Sequence, residues 1–267
     1  HEPSRRQRQM CIRDRLYVAK FSDDGSGEWV ELNTASSGMA THGEVMIHAR
    51  IAASKVGATT MDRPEWVTTH PTKAEAYCCL TNNKNRGVKP NAGGDDTSVN
   101  GPNPREKNHY GQIVRWRPAG GDHTAAAFEW DLFVVAGNPT VHSDAYAGSS
   151  NITADNMFNS PDGLRFDSQG GLWIQTDGNF KNKGDFAGQG NNQMLFANSE
   201  TGEINRFMVG PKQCEVTGIT WSPDKKAMFI GIQHPGNKGE GNWPDGGDSV
   251  PRSAVVVITR DDGGVLG

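Results

Sequence analysis

The stretch Gly163-Leu164-Arg165-Phe166-Asp167 runs through a turn at Gln169-Gly170-Gly171 into Leu172-Trp173-Ile174-Gln175-Thr176-Asp177. Apolar, β-branched and aromatic residues on both sides of a glycine turn predict a β-hairpin. The same pattern returns 55 positions on, from Gly163 to Gly218. There Gly218-Ile219-Thr220-Trp221-Ser222 passes Pro223-Asp224-Lys225-Lys226 and enters Met228-Phe229-Ile230-Gly231-Ile232. A weaker copy lies upstream, in which Glu65-Trp66-Val67-Thr68 leads past Pro71-Thr72-Lys73 into Ala76-Tyr77-Cys78-Cys79-Leu80. Further strand candidates follow each hairpin, at 111–116 and 128–135, at 194–197 and 204–209, and at 253–259. Two more, 16–21 and 28–32, read as the last strands of an earlier unit, joined by a turn at Asp23-Asp24-Gly25.

Strand sets that recur at this spacing predict an all-β fold, a β-propeller of about three blades. A propeller closes with four to eight blades, and an open stack leaves a strand edge and a blade face uncovered. The expectation is therefore part of a larger propeller, with a β-sandwich carrying long loops as the alternative. Composition agrees with short strands and many turns: 33 glycines, 14 prolines and 34% hydrophobic residues. A net charge of -4 supplies no basic field for nucleic acid, which is not expected as a specific ligand. No apolar run reaches the roughly 20 residues of a membrane span. Cys11, Cys78, Cys79 and Cys214 show no zinc spacing and no disulfide framework. They read as buried thiols, with Cys78 and Cys79 on opposite faces of one strand.

Residues 1–15 read separately from the body at 16–267. The segment is rich in arginine, and no apolar signal-peptide stretch follows Arg5-Arg6. Met10-Cys11-Ile12-Arg13-Asp14-Arg15 is one translation of a common sequencing-library transposon end, so the segment is expected to be non-native, with a disordered basic arm as the other reading.

Chemistry concentrates where the inner strands begin. Arg63 and Glu65, two residues apart, share a strand face. Arginine grips phosphate with two donors and glutamate ligates calcium, although an ordinary surface ion pair would use the same residues. Asp155-Asn156 and Asp162 precede the second inner strand, and Glu215 precedes the third, aligned near Glu65. Asp and Asn are hard oxygen ligands for Ca²⁺, and they are equally common turn formers. Three acidic residues entering three neighbouring blades from one side would converge on the axis. Two polar insertions, 82–108 and 178–192, are places where a propeller carries function. His70 and His234 are weaker candidates. The chain has no HExxH, GxSxG or Walker A motif.

Six spaced motifs together resemble the PhoX family of alkaline phosphatases. They are Met61-Asp62-Arg63-Pro64-Glu65-Trp66-Val67; Asn103-Pro104-Arg105 with Asn108-His109-Tyr110-Gly111; Ser160-Pro161-Asp162-Gly163-Leu164; Trp173 to Gly178; Glu215-Val216-Thr217-Gly218; and Gln233-His234-Pro235-Gly236. The strand Ser253-Ala254-Val255-Val256-Val257-Ile258 resembles the family's last. The resemblance implies a six-bladed propeller with an axial cluster of Fe³⁺ and Ca²⁺, acting outside the cytoplasm, periplasmic or secreted, on small phosphomonoesters. It implies that Arg63 contacts the substrate phosphate and that Glu65 ligates metal. It also implies an Asp-Asn pair at the site, matched to Asp155 and Asn156; Asp162 and Glu215 are placed as metal ligands by blade geometry. The family's earlier blades, with further ligands and a cysteine, are absent here, so the chain is expected to be the C-terminal portion of the enzyme, inactive alone and monomeric as the full-length protein. Two alternatives remain open: a metal-dependent propeller lactonase, for which Pro161-Asp162-Gly163-Leu164 would also serve, and a non-enzymatic binding propeller.

Overall fold

The computed structural model describes residues 15–267, so the reading of 1–15 as a non-native segment lies, but for Arg15, outside the described residues. Among the described residues, thirteen strands form three antiparallel sheets. The first contains β1 (Leu16–Phe21), β2 (Ser26–Leu32), β3 (Pro64–Thr69), β4 (Ala76–Leu80), β5 (Gln112–Pro118) and β6 (Ala127–Val135), in the order β1-β2-β6-β5-β4-β3. The second holds β7 (Pro161–Phe166), β8 (Gly171–Thr176), β9 (Gln193–Asn198) and β10 (Ile204–Val209) in sequence order. The third holds β11 (Glu215–Trp221), β12 (Ala227–Gln233) and β13 (Ala254–Thr259). β3 packs on β7 and β7 on β11, so β3, β7 and β11 stand innermost in their sheets. The sheets are three blades of a propeller, and the sandwich alternative is excluded by this fan-like stacking.

Hairpin turns form where the sequence supplies a side-chain acceptor for the chain's own amides. The Asp167 carboxylate accepts from the N–H groups of Gln169 (2.9 Å) and Gly171 (2.8 Å), and its other oxygen accepts from the Trp173 indole at 3.0 Å. Gly170 at φ +87° takes the left-handed corner of that turn. Asp24 plays the same part before Ser26, and Asp224 before Lys226.

Packing between blades explains the burial of the second strands. β4 and β8 are buried at every position, because both of their faces are covered. Tyr77, Cys79, Ile113 and Phe133 of the first blade meet Leu164, Phe166, Leu172 and Ile174 of the second. Trp173 and Met194 on the second blade's other face meet Val216, Ile219, Met228 and Ile230 of the third. Each such side chain contributes about 1.5–3 kcal/mol by leaving water. Cys79 faces this first seam, whereas Cys78 lies in the cluster on the opposite face, as strand alternation requires.

Two features differ from the reading of the sequence. β1 and β2 do not belong to an earlier unit: Ser26 to Glu28 pair with Glu129 to Ala127 of β6, extending the first blade outward to six strands. The pairing follows because β5 occupies only one edge of β6 and leaves the other edge to β2. Residues 34–55, for which no element was foreseen, form three short helices: α1 (Thr34–Ser37), α2 (His42–Ile47) and α3 (Ala49–Lys55). Asn33 and Ser36 cap α1 reciprocally, and Thr41 caps α2 by accepting from the Glu44 N–H at 3.1 Å. The helices bury Val45 and Ala52 against Leu32, covering the β1–β2 hairpin.

Candidate axial acidic site

All three inner strands start at the same end of the blades. β4 and β8 finish at that end, opposite the first residues of β3 and β7, and β5 and β9 begin there. The two long insertions, 81–111 and 177–192, and the connection 136–160 therefore share one face.

Each inner strand carries a bulge at the same register. Pro64 pairs with Leu80 and Val67 with Cys78. Pro161 pairs with Thr176 and Leu164 with Ile174. Val216 pairs with Ile232 and Ile219 with Ile230. In every case two residues oppose one, a device that bends a strand and re-aims its side chains. Glu65, Asp162 and Thr217 are thus equivalent. Glu215 lies two residues earlier, level with Arg63 and Ser160, and not level with Glu65 as the hairpin alignment had placed it. Arg63 and Ser160 both sit at positive φ, 52° and 53°, immediately before a proline. A non-glycine residue there is strained, and such strain is held where the surroundings over-determine the chain. The surroundings match as well: the Thr81 N–H donates to Arg63 O (3.3 Å) and the Asp177 N–H to Ser160 O (3.1 Å).

Glu65, Asp162, Asp177 and Glu215 stand at the same end of the inner strands, near enough for their charges to act on one another. Desolvation is the first cause that lifts the Asp162 carboxyl, from 3.8 to about 7, followed by repulsion from Glu65, Glu215 and Asp177, with Arg63 opposing. Glu215 is raised in the same direction, by burial and then by Asp177. His234 Nε2 lies 3.3 Å from Glu215 Oε2. Four carboxylates thus gather beside one arginine and one histidine, an excess of negative charge that a cation would neutralise. The exposed Arg63 has one side-chain hydrogen bond among the described residues, donated to Asn82 Oδ1 at 3.0 Å. Asn82 in turn donates to Ser160 Oγ (3.0 Å), and Ser160 to Asn159 Oδ1 (3.2 Å). This chain of polar groups links the entries of the first two inner strands and leaves guanidinium N–H groups open to a ligand.

Asp155 and Asn156 do not join the cluster. Asn156 accepts from the Thr153 N–H (2.7 Å) and donates to the carbonyls of Asn151 (3.0 Å) and Ile204 (2.8 Å). Ile204 opens β10, the outermost strand of its blade, and Asp155 lines a surface cleft there with Arg206. The pair belongs to the outer rim because its loop must cross back from β6 to β7 over that edge, and Asn156 spends its donors and its acceptor tying the crossing down. The buried Cys78, Cys79 and Cys214 are free thiols, with burial pushing Cys78 and Cys214 up to about 12. His70 lies away from the axis, its ring edge-on to Phe166 and its Nδ1 accepting from the Lys73 N–H at 3.0 Å. In the sequence Asp177 stands after an inner hairpin and inside the Trp173–Gly178 motif, with nothing to mark it as part of the site. Asn82 and Asn159, which hold the polar chain together, stood unmarked among many turn-forming asparagines.

The fold is that of a β-propeller, with acidic side chains and an open arginine at the loop face of its stacked blades. The chain belongs to the PhoX alkaline phosphatase family, whose model matches residues 1–236. Among solved structures it is similar to Pseudomonas fluorescens PhoX in complex with vanadate, a transition state analogue, at 55% identity and a TM-score of 0.91. That alignment covers 100% of this chain and 48% of the other, so the chain spans about half the length of that protein. A gluconolactonase from Xanthomonas campestris aligns at 13% identity over 64% of this chain and 35% of its own, with a TM-score of 0.33. The periplasmic gluconolactonase of Pseudomonas aeruginosa aligns at 12% identity over 82% of this chain and 47% of its own, with a TM-score of 0.37. No curated protein gives a match.

Proposed function

We propose that this chain forms part of an extracytoplasmic alkaline phosphatase that hydrolyses small phosphomonoesters with the help of Ca²⁺ and Fe³⁺. The observation that carries the reading is the meeting of Glu65, Asp162, Asp177 and Glu215 beside Arg63, in a chain 55% identical along its whole length to a PhoX solved with vanadate. The donor set fits the metals: carboxylate oxygens are the ligands that hard cations take, and their mutual repulsion is what a bound cation relieves. When bound, such cations neutralise phosphate charge and lower the pKa of a coordinated oxygen nucleophile.

The chain's own residues supply the rest. Arg63 presents open N–H groups that hold the phosphoryl oxygens as charge develops on them. Asn82 fixes the guanidinium from one side, so its fork is oriented before substrate arrives. Glu65, Asp162, Asp177 and Glu215 hold the cations, and His234 orients Glu215 through its 3.3 Å contact. The bulges keep these side chains in place, because a shift of one residue would carry the carboxylates to the other strand face. Secretion to the periplasm or beyond fits a calcium-loaded site. Among the described residues no helix is long and apolar enough to cross a membrane.

The test is p-nitrophenyl phosphate turnover at alkaline pH by the full-length protein that carries this chain, with and without a calcium chelator, beside an Arg63→Ala variant. Calcium-dependent turnover falling by about 10²–10³ in the variant, the range typical for one transition-state donor, supports the reading. Turnover that survives both the chelator and the substitution overturns it.

A further inference from the structure

A second set of ligating side chains lies on the loop face and shares no residue with the axial cluster. His109 ends the first long insertion just before β5, His142 stands in the 136–160 connection, and Asp185 sits in the second insertion. One ligating atom from each lies within 4.8 Å of the others. His109 Nε2 is 3.7 Å from Asp185 Oδ2, and His142 Nε2 is 3.6 Å from Asp185 Oδ1. Bonds of about 2.0–2.1 Å in a tetrahedral site put ligand atoms roughly 3.3–3.4 Å apart, so small side-chain adjustments would close these residues on one ion.

The tautomer of His109 points the same way. Its Nδ1 lies 3.0 Å from the Lys107 carbonyl oxygen, which can only accept, so Nδ1 carries the hydrogen. Nε2 is then left with a lone pair, and it is buried with no hydrogen-bond partner. A buried acceptor without a partner costs about 1–3 kcal/mol and calls for an explanation. Imidazole held by a backbone carbonyl through one nitrogen and open at the other is the usual arrangement around a ligated ion. The ring cannot swing away: it stacks on Tyr146 at 5.4 Å and 12°, with Tyr110 and Phe186 against it. The Asp185 backbone is held too, since its carbonyl accepts from the Tyr110 hydroxyl and from Asn138 Nδ2. The Tyr110 hydroxyl spends its hydrogen on the Asp185 carbonyl, so His142 Nε2 donates to it at 3.0 Å; to take an ion there, His142 moves its hydrogen to Nδ1 and gives up this contact.

We propose that His109, His142 and Asp185 form a transition-metal site, distinct from the axial centre, that fastens the two long insertions and the 136–160 connection into one roof. Two imidazoles and a carboxylate select zinc or a similar first-row divalent ion over calcium, which takes oxygen ligands. With three protein ligands the site keeps a position for water or an anion.

The experiment is a Co²⁺ titration of the full-length protein in excess calcium, followed by visible absorption. The unaltered protein and a Glu65→Gln variant should take up cobalt with the same four- or five-coordinate spectrum. Loss of an outer-shell partner weakens such sites by roughly 10–100-fold, so loss of a ligand in His109→Ala or His142→Ala should weaken uptake by at least about 100-fold. Asp185→Asn keeps the shape of an exposed residue and removes one ligand, so it should bind weakly while keeping the urea midpoint of the metal-free protein. Equal cobalt affinity in Asp185→Asn and the unaltered protein overturns the proposal, as does failure of the unaltered protein to take up cobalt.

Discussion

Replacing Asp162 by Asn should stabilise the metal-free protein at alkaline pH and weaken it when calcium is present. In the free chain the Asp162 carboxyl is ordinary, near 3.8, and in the folded protein burial and three neighbouring carboxylates raise it to about 7. Below about pH 4 both states hold the proton and the residue has no effect on stability. Between about 4 and 7 the unfolded chain ionises while the fold keeps its proton, so stability falls as pH rises. Above 7 the loss is complete. Three units at 1.36 kcal/mol each give about 4 kcal/mol, and solvent screening of a partly exposed side chain reduces this to roughly 2 kcal/mol. The amide carries no charge and escapes the penalty. Urea unfolding of both proteins in chelator, at pH 5 and at pH 8.5, isolates the contribution of the acidic cluster, because titrating groups away from it cancel in the difference. Part of the penalty is already present at pH 5, so the variant should gain about 1 kcal/mol on the unaltered protein between the two pH values. With calcium at about 100 times its Kd, the unaltered protein recovers roughly 2.7 kcal/mol and the order reverses. A difference that does not change between pH 5 and pH 8.5 would refute the account of the acidic cluster as an unneutralised cation site.

Three other outcomes follow from the packing. Arg86 Nε donates to Asp62 Oδ1 at 2.7 Å and both side chains are fully buried, so Arg86→Met should cost about 3–5 kcal/mol in urea unfolding, with part of it regained when Asp62→Asn is added. A Cβ on Gly178 would collide with Asn159 Oδ1, so Gly178→Ala should cost about 1–3 kcal/mol and speed hydrogen exchange across 177–192, which Asn159 ties down through Asn179 and Gln189. Burial holds the thiols of Cys78 and Cys214 up at about 12 and Cys79 well above its ordinary value; in a Cys11→Ser background a thiol reagent at pH 8 should find none of them until denaturant is added, and then all three.

The repeat of hairpins at Glu65, Gly163 and Gly218 made the blades legible from the chain alone, because an inner hairpin buried between neighbouring blades needs apolar residues along its length and turn residues at fixed places. Strand alternation likewise placed Cys78 and Cys79 on opposite faces. The β1–β2 hairpin could not be assigned to its blade, since edge pairing depends on which strand of the folded protein leaves a backbone edge open. The helices at 34–55 escaped because they are short and bury only two apolar residues, Val45 and Ala52. Within the site, residues entering inner strands were readable by position, and Glu65, Asp162 and Glu215 stand at one end of their strands. Asp155-Asn156 looks no different in composition, yet the loop carries it to the outer rim, where Asn156 is consumed by backbone groups of 151, 153 and 204. Asp177 and the trio His109, His142 and Asp185 come from segments with no shared motif. Local chemistry written into the chain therefore determined the strands, the turns and the acidic strand entries. Which acids meet, which histidines face each other and which asparagines hold the loops was decided only by the stacking of blades, because those distances join residues tens of positions apart.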